Sequence, residues 1–380
     1  MQTTSDVVVV GAGPVGAAIA WRCAQRGLTV TVVDPDPGRG AWRTAAGMLA
    51  PVTELHYAET ALLRLNLDSA RRYPDFCAEL TDGTGLPTGY APTGTVSIAW
   101  DAADHAGLRD LQAFATTLGL TSELLGPRDV RRLEPALAPG FAGGLLAPHD
   151  HQVDPRLLHA ALVAAGTRAG VRVVRGEAAV TTSAGRTTGV RIGDGSALPA
   201  GCVVLAAGAW SGTVAGVPDE ARPRVRPVKG QTIRLRTDPP TLTRIVRGTV
   251  RGNPVYLVPR HGGELVVGAS SEERGFDVAP RAGAVYELLR DAQSLVPELG
   301  EATLVEVSTG LRPGSPDNAP LLGPTATSGL IAATGHYRNG ILLTPVTADA
   351  VAETIVTGVA PELIAPFSPL RTALAAAVPA

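Results

Sequence analysis

The stretch that most constrains this chain lies near its start. The apolar run Asp6-Val-Val-Val-Val10 breaks into Gly11-Ala-Gly13-Pro-Val-Gly16 and continues as an apolar-faced helix. A second strand pattern over residues 29–33 ends at Asp34, 18 residues past Gly16. A strand that opens through three glycines into a helix is built to receive a pyrophosphate. Gly11 permits the tight turn, Gly13 lets backbone approach the phosphates, and Gly16 allows close helix–strand packing. The first helical turn, which Pro14 enters without an N–H and Val15 continues, offers free N–H groups and a partial positive charge. Asp34 stands where a carboxylate can accept from a ribose hydroxyl pair, with Pro35 beside it. An acid there would repel a 2′-phosphate, so a dinucleotide other than NADP is expected.

At 380 residues the chain exceeds one ordinary core, and two domains are expected. The net charge is −2 with no basic patch, which gives nucleic-acid binding nothing to act on. Lys229 is the only lysine beside 32 arginines. Cys23, Cys77 and Cys202 lie far apart without CxxC spacing, so neither a zinc site nor a disulfide framework is expected, and the pattern fits a reducing compartment. The N-terminus lacks a basic leader region, and no apolar run reaches the roughly 18 residues of a membrane span. These features are the reading of a cytoplasmic protein without a membrane partner.

Further along, residues 58–80 predict a helix with a leucine stripe, 95–99 a strand and 104–118 another helix. Asp154 followed by Pro155 marks a helix start, Asp as N-cap and Pro in the first turn. That helix ends near Gly170 and leads to strands over 171–174, 187–192 and 202–205. Between about 225 and 311 the pattern turns to alternation, with strands over 231–236, 244–250, 255–258, 264–269 and 303–308 and a helix over 283–295, as in an antiparallel sheet. A last buried strand, 330–333, and a turn, 335–340, precede a helix over 341–357. The expected fold is α/β plus antiparallel β: a Rossmann-type cofactor domain with an inserted mixed or antiparallel-sheet substrate domain. Residues 1–55, 145–224 and 309–370 are assigned to the first, and 56–144 and 225–308 to the second.

Three polar groups stand out as chemistry: Tyr256 in an otherwise apolar strand, Arg312 in Val307-Ser-Thr-Gly-Leu-Arg-Pro313, and Arg338 in the turn before the last helix. An arginine following an apolar strand, with Gly310 beside it, can reach a cleft between domains, where its planar fork suits a carboxylate. The turn 335–342 adds backbone N–H groups that can stabilise an anionic reduced ring. The histidines at 149, 151 and 159 are close in sequence, but neighbours in one loop rarely converge on an ion, and no metal is expected.

With these motifs the chain resembles the flavin-dependent D-amino-acid-oxidase-like family, and within it the glycine oxidases of bacterial thiamine biosynthesis. The resemblance runs nearly the whole length. It is carried by the glycine turn, Ala45-Ala-Gly-Met-Leu49, Pro227-Val-Lys-Gly-Gln231, Tyr256-Leu-Val-Pro-Arg260 with Val266-Val-Gly-Ala269, Gly310-Leu-Arg-Pro313 and Gly335-His-Tyr-Arg-Asn-Gly-Ile-Leu342. It implies non-covalent FAD, since no cysteine stands near 310–313 or in the 43–48 loop. It also implies that Arg312 binds a substrate carboxylate, that Tyr256 assists through its hydroxyl, and that Arg338 helps to close the site.

The same resemblance places Ala46, Gly47 and Met48 along the flavin, Met48 near the substrate pocket. Trp42, Arg43 and Thr44 are expected by the pyrophosphate, Val180 at the adenine through its backbone, and Ala207 and Gly208 at the cofactor. His336, Tyr337, Arg338, Asn339, Gly340, Ile341 and Leu342 are expected to wrap the ring, His336 acting through its backbone rather than as a general base. The implied reaction takes glycine, a small amine or a D-amino acid to the oxo acid, with O2 reduced to H2O2, in a chain whose relatives commonly form homo-oligomers.

Two departures bear on specificity. Lys229 replaces an arginine usual in the motif, and Ser270-Ser271 stands where an apolar side chain often lines the pocket. A more polar wall leaves sarcosine or a D-amino acid open as substrate, by an oxidase or a dehydrogenase. A non-catalytic flavin-binding module is the reading from another class, against which the trio Tyr256, Arg312 and Arg338 argues.

Overall fold

The first sheet of the computed structural model, which describes residues 4–371, is built outward from the glycine-turn unit. Its strand order is Leu321–Pro324, Leu330–Thr334, Ala197–Leu205, Ser5–Val10, Val30–Asp34, Arg172–Arg175. All neighbours are parallel except the first pair. The unbroken valine run follows from burial on both faces. Val7 and Val9 join the core under the helices Pro14–Gln25, Pro155–Arg168 and Thr344–Thr357, whereas Val8 and Val10 join a second core on the opposite face. That second core is closed by the hairpin Ala178–Ser183 and Arg186–Ile192, hydrogen-bonded antiparallel to Ala197–Leu205.

The second sheet runs Thr303–Gly314, Arg226–Arg236, Glu264–Gly268, Asn253–Pro259, Ile245–Val250, Thr95–Ala99, Gly143–Ala147, Glu123–Leu125. Its pairs are antiparallel except Ile245–Val250 with Thr95–Ala99, so the sheet is mixed. The helix Ala282–Leu295 packs on one face through Leu288, Ala292 and Leu295. A short ribbon, Met48–Leu49 against His151–Gln152, ties the two halves together.

Most elements lie where the periodicity puts them, including Thr95–Ala99, and the helix from Pro155 with its Asp154 N-cap accepting from Arg156 and Leu157 N–H. Three differ. The strands read as 231–236 and 303–308 extend to Arg226–Arg236 and Thr303–Gly314, because they pair in register along their whole length and carry Pro227, Gly230, Gly310 and Pro313 with them. Arg312 is therefore inside a strand rather than after one. The helix read from 341 begins at Thr344, with a short helical turn at Tyr337–Asn339 before it. The intervening carbonyls are drawn aside, Ile341 O by the Tyr73 hydroxyl and Leu342 O by Ser69 Oγ (2.6 Å).

The strand pairing and packing bear on where the expected domain limits are drawn. Cuts at 145 and 309 fall inside Gly143–Ala147 and Thr303–Gly314, which are hydrogen-bonded into the second sheet as units. The helix Thr60–Thr84, assigned to the substrate half, buries Tyr73, Phe76, Cys77 and Leu80 in the core that holds Ile19 and Leu162. A helix belongs with the core that covers its apolar stripe. We propose that residues 60–84 be counted with the first unit and that its later segments begin after 147 and 314. Residues 1–3 of the expected first segment lie outside the described residues.

Candidate active site

The parallel strands of the first sheet end at Thr334, Leu205, Val10 and Asp34, and a cavity of about 690 Å³ opens along these carboxyl ends. Open α/β sheets bind ligands in this crevice. Strand order gives the cavity a direction, from Ala333 and Thr334 past Ala206 and Gly11 to Asp34 and Glu177.

At Gly11 the backbone has φ +111°, and a Cβ there would stand 2.4 Å from Ala206 O. Only glycine allows the chain to turn so close to the neighbouring strand. Gly13 is the N-cap of Pro14–Gln25, and no side chain caps that helix, so its first-turn amides face the cavity with Pro14 and Val15. Asp34 accepts Ala12 N–H (2.7 Å) through one oxygen and Asp36 N–H (2.7 Å) through the other. A carboxylate has about four acceptor positions, so both oxygens keep capacity for a diol. Pro35, Trp42 and Thr44 line the same stretch. Trp42 is stacked on His159 at 4.0 Å, and His159 Nε2 donates to Ala12 O at 2.7 Å. Burial pushes the His159 pKa down.

At the opposite end the second sheet supplies the polar groups. A bridge between Gly314 and His336 joins the two halves, which brings Arg312 beside the turn after Thr334. Arg312 donates Nη1–H to Ser270 O at 3.1 Å and lines the cavity with Tyr256, Met48, Ala46 and Gly47. Met48, Ala46 and Tyr256 share one apolar cluster with Ile245, Val258 and Val266. Burial raises the Tyr256 pKa, opposed by the nearby Arg312 charge, so the phenol keeps its proton at neutral pH. His336 is buried, its Nε2 3.1 Å from Thr347 Oγ1, and burial pulls its pKa down to about 4. A neutral, enclosed imidazole of this kind is a poor proton acceptor. Arg338 lines the cavity but stays exposed, beside His56 Nε2 (3.3 Å) and 5.1 Å from the Tyr337 ring.

Ala207, Gly208, Tyr337, Gly340 and Ile341 line the cavity as well. Five expected cofactor residues do not. Gly16 is buried, where a Cβ would stand 2.0 Å from Gly11 O, so it serves packing. The exposed Arg43 turns outward and donates to Gly38 O (3.3 Å). Val180 gives its N–H to Ala215 O (2.8 Å), and Glu177 and Ala178 face the cavity in its place. Asn339 N–H donates to His336 O (2.9 Å), and Leu342 is buried in the helix core. Ser271 is exposed and outside the cavity, so it forms no pocket wall; Ser270 contributes through its carbonyl. Lys229 is wholly buried away from the cavity, with Nζ 2.5 Å from Ala279 O and 3.2 Å from Asp277 Oδ2.

The sequence reading missed Glu54, a cavity-lining carboxylate 3.3 Å from Arg247, and Trp210, whose ring lies 5.7 Å from Phe276. Glu54 follows the 45–49 motif by only five residues, a signal that was available. Among the described residues no group of three His, Cys, Asp or Glu side chains is gathered for a metal, and no helix is long and apolar enough to cross a membrane.

A crevice along a parallel sheet that opens at a glycine turn and ends on a half-buried arginine and a protonated tyrosine fits a flavin-dependent oxidoreductase. The chain belongs to the FAD dependent oxidoreductase family, whose model matches residues 6–354. It is 37% identical over 380 residues to a bifunctional protein ThiO/ThiG of Synechocystis sp., covering 98% of this chain and 54% of that one, so it spans about half the length of such relatives. It is 33% identical over 369 residues to the glycine oxidase of Geobacillus kaustophilus, covering 96% and 97% of the two chains. The crystal structure of glycine oxidase from that organism superposes with a TM-score of 0.90 over 97% of this chain and 99% of its own. An iminodiacetate oxidase from Chelativorans sp. superposes at 0.87 with 27% identity, covering 96% and 98%. The chain is thus an FAD-dependent oxidoreductase whose sequence and fold are similar to those of glycine oxidases. The glycine turn, the uncapped helix end and the unfilled carboxylate positions of Asp34 fit the diphosphate and ribose of that cofactor.

Proposed function

We propose that this protein oxidises glycine, taking the amine to the imine, which hydrolyses to the oxo acid and ammonia, with O2 reduced to H2O2. FAD, when bound, supplies the acceptor for the hydride lost from the substrate carbon. The observation that carries the reading is Arg312 in the cavity beside a tyrosine that burial keeps protonated. Arg312 would take the carboxylate with its fork, and the Tyr256 hydroxyl would donate to the same group. Holding the carboxylate at two points fixes the direction of the Cα–H bond, and positioning of this kind accelerates without any acid or base. Arg338, at the exposed edge, would add a cation near the entrance. Supply of the oxidised product to thiazole formation in thiamine synthesis, action in the cytoplasm and assembly into homo-oligomers belong to the same proposal.

Glu54 lines the cavity near Tyr256 and is paired with Arg247 at 3.3 Å, so the pair sets no net charge against either a carboxylate or an amine cation. The test is the visible spectrum of the FAD-loaded protein during anaerobic addition of each amine. Bleaching by glycine and recovery in air support the proposal. Bleaching only by sarcosine or D-alanine moves the substrate, and no bleaching by any amine refutes it.

A further inference from the structure

Three carbonyl oxygens of loop 43–46 are gripped by side chains from other elements. Arg156 donates Nε–H and Nη2–H to Arg43 O at 3.0 and 2.9 Å. Thr232 Oγ1 donates to Thr44 O at 2.9 Å, and Arg260 Nη2 donates to Ala46 O. In a trans peptide the carbonyl and the following N–H point in opposite directions. Each grip therefore turns the next N–H away from its donor. The N–H groups of Thr44 and Ala45 are already taken by Ala41 O at 3.1 and 3.0 Å. The N–H of Gly47, which follows the gripped Ala46 carbonyl, meets no acceptor among the described residues, and Gly47 lines the cavity.

Arg260 is well placed for this grip. Its side chain is 7% exposed, Nη1 also donates to Gln152 Oε1, and Nε lies 3.7 Å from Asp154 Oδ2. Gln152 in turn pairs with Met48 in the ribbon, so both of its hydrogen-bond partners belong to the flavin-side turn or its support. Burial lowers the Arg260 pKa to about 10, which leaves the guanidinium charged at neutral pH. A charged donor on a carbonyl polarises that peptide and strengthens its N–H as a donor. Burying this cation is offset by the Asp154 and Glu264 carboxylates and by the hydrogen bonds to Ala46 O and Gln152.

We propose that Arg260 is a positioning residue: it fixes the Ala46–Gly47 peptide so that the Gly47 N–H faces the electron-accepting ring and helps it bear negative charge. The role rests on the FAD assignment and on no particular substrate.

Sulfite tests it, because sulfite adds to an oxidised flavin and leaves the ring anionic, so its affinity reports charge stabilisation apart from turnover. In the FAD-loaded protein, Arg260→Met is expected to weaken sulfite binding ~10-fold or more, the size of losing a hydrogen bond to a charged group. FAD affinity changes little by comparison, while the melting temperature falls with the loss of the Gln152 and Asp154 contacts. Arg260→Lys, which can still reach the carbonyl with a charge, recovers part of the loss. Native sulfite affinity in Arg260→Met overturns the role. If that variant does not fold, Arg260→Gln carries the test, an intermediate affinity supporting the role and a native one overturning it. A native chain that takes up no FAD removes the cofactor assignment, and this role with it.

Discussion

The Arg312 guanidinium lies flat on Gly230: a Cβ built on Gly230 would stand 2.4 Å from Nη1 and 2.6 Å from the guanidinium carbon. Gly230 faces Gly310 across the paired strands, and a Cβ on Gly310 would meet Ala41 and Thr44 at 3.1 Å. Two glycines in register thus let Arg312 and the loop holding Ala41 and Thr44 approach the same strand pair from opposite partners.

Gly230→Ala should therefore push Arg312 aside while leaving its charge in place. Misplacement by about 1 Å costs ~100-fold in rate. Steady-state peroxide release should show kcat/KM for glycine reduced by that order with FAD still bound. A native kcat/KM would mean that Arg312 does not hold the carboxylate.

Arg312→Lys separates charge from geometry. An ammonium keeps the charge but not the two-point fork, so the expected loss is ~1.5–3 kcal/mol of binding, or about 10- to 150-fold, mostly in KM. Arg312→Ala should lose more in kcat/KM, again with FAD retained. Equal kinetics for arginine and lysine would show that a point charge suffices.

Gly11→Ala places a methyl group 2.4 Å from a backbone oxygen at φ +111°. Neither atom is a flexible side-chain end, so the strand ends must separate. The variant should lose FAD affinity and melt earlier, as read by flavin fluorescence titration and calorimetry. Native FAD affinity would show that the turn does not meet the diphosphate.

Two buried groups give opposed pH slopes. His336 is depressed to about 4 by burial, so between pH 4 and 6.5 the unfolded chain binds the proton and stability falls as pH drops. Asp150 is raised to about 6, chiefly by burial and despite accepting from Thr53 N–H and Oγ1–H (both 2.7 Å) and Val52 N–H (3.1 Å). Its folded state holds the proton between about 4 and 6, so stability falls as pH rises there. Each effect is of order ~3 kcal/mol, and the two largely offset one another. Asp150→Asn should expose a stability that climbs with pH over 4–6.5, and His336→Gln one that declines over 4–6, both read by denaturant melts. Parallel slopes in the two variants would refute the assignment.

Not every feature of the site was equally legible. The glycine turn, the helix capped by Asp154 and the strand carrying Tyr256 are encoded by neighbours in the chain, so their patterns could be read directly. Val180 and Ser271 do not line the cavity, because which residues of a segment meet it depends on distant partners: Ala215 takes the Val180 N–H, and the Ser270 backbone and Oγ are tied to Gln231. Arg260 was visible within its motif, but nothing local tells that its guanidinium reaches Ala46, 214 positions away.

The sequence by itself determined a parallel-sheet cofactor unit, its dinucleotide turn and the candidacy of Arg312 as a planar cation for the site, since residue type and short-range spacing fix turns, caps and charge. Tertiary structure alone decided that the helix Thr60–Thr84 packs with the first core, that Lys229 faces away from the cavity and that Arg312 faces into it. The physical reason is register. Side chains alternate faces along a strand, so the pairing of Arg226–Arg236 with Thr303–Gly314 and the core covering each face settle which neighbour reaches the site.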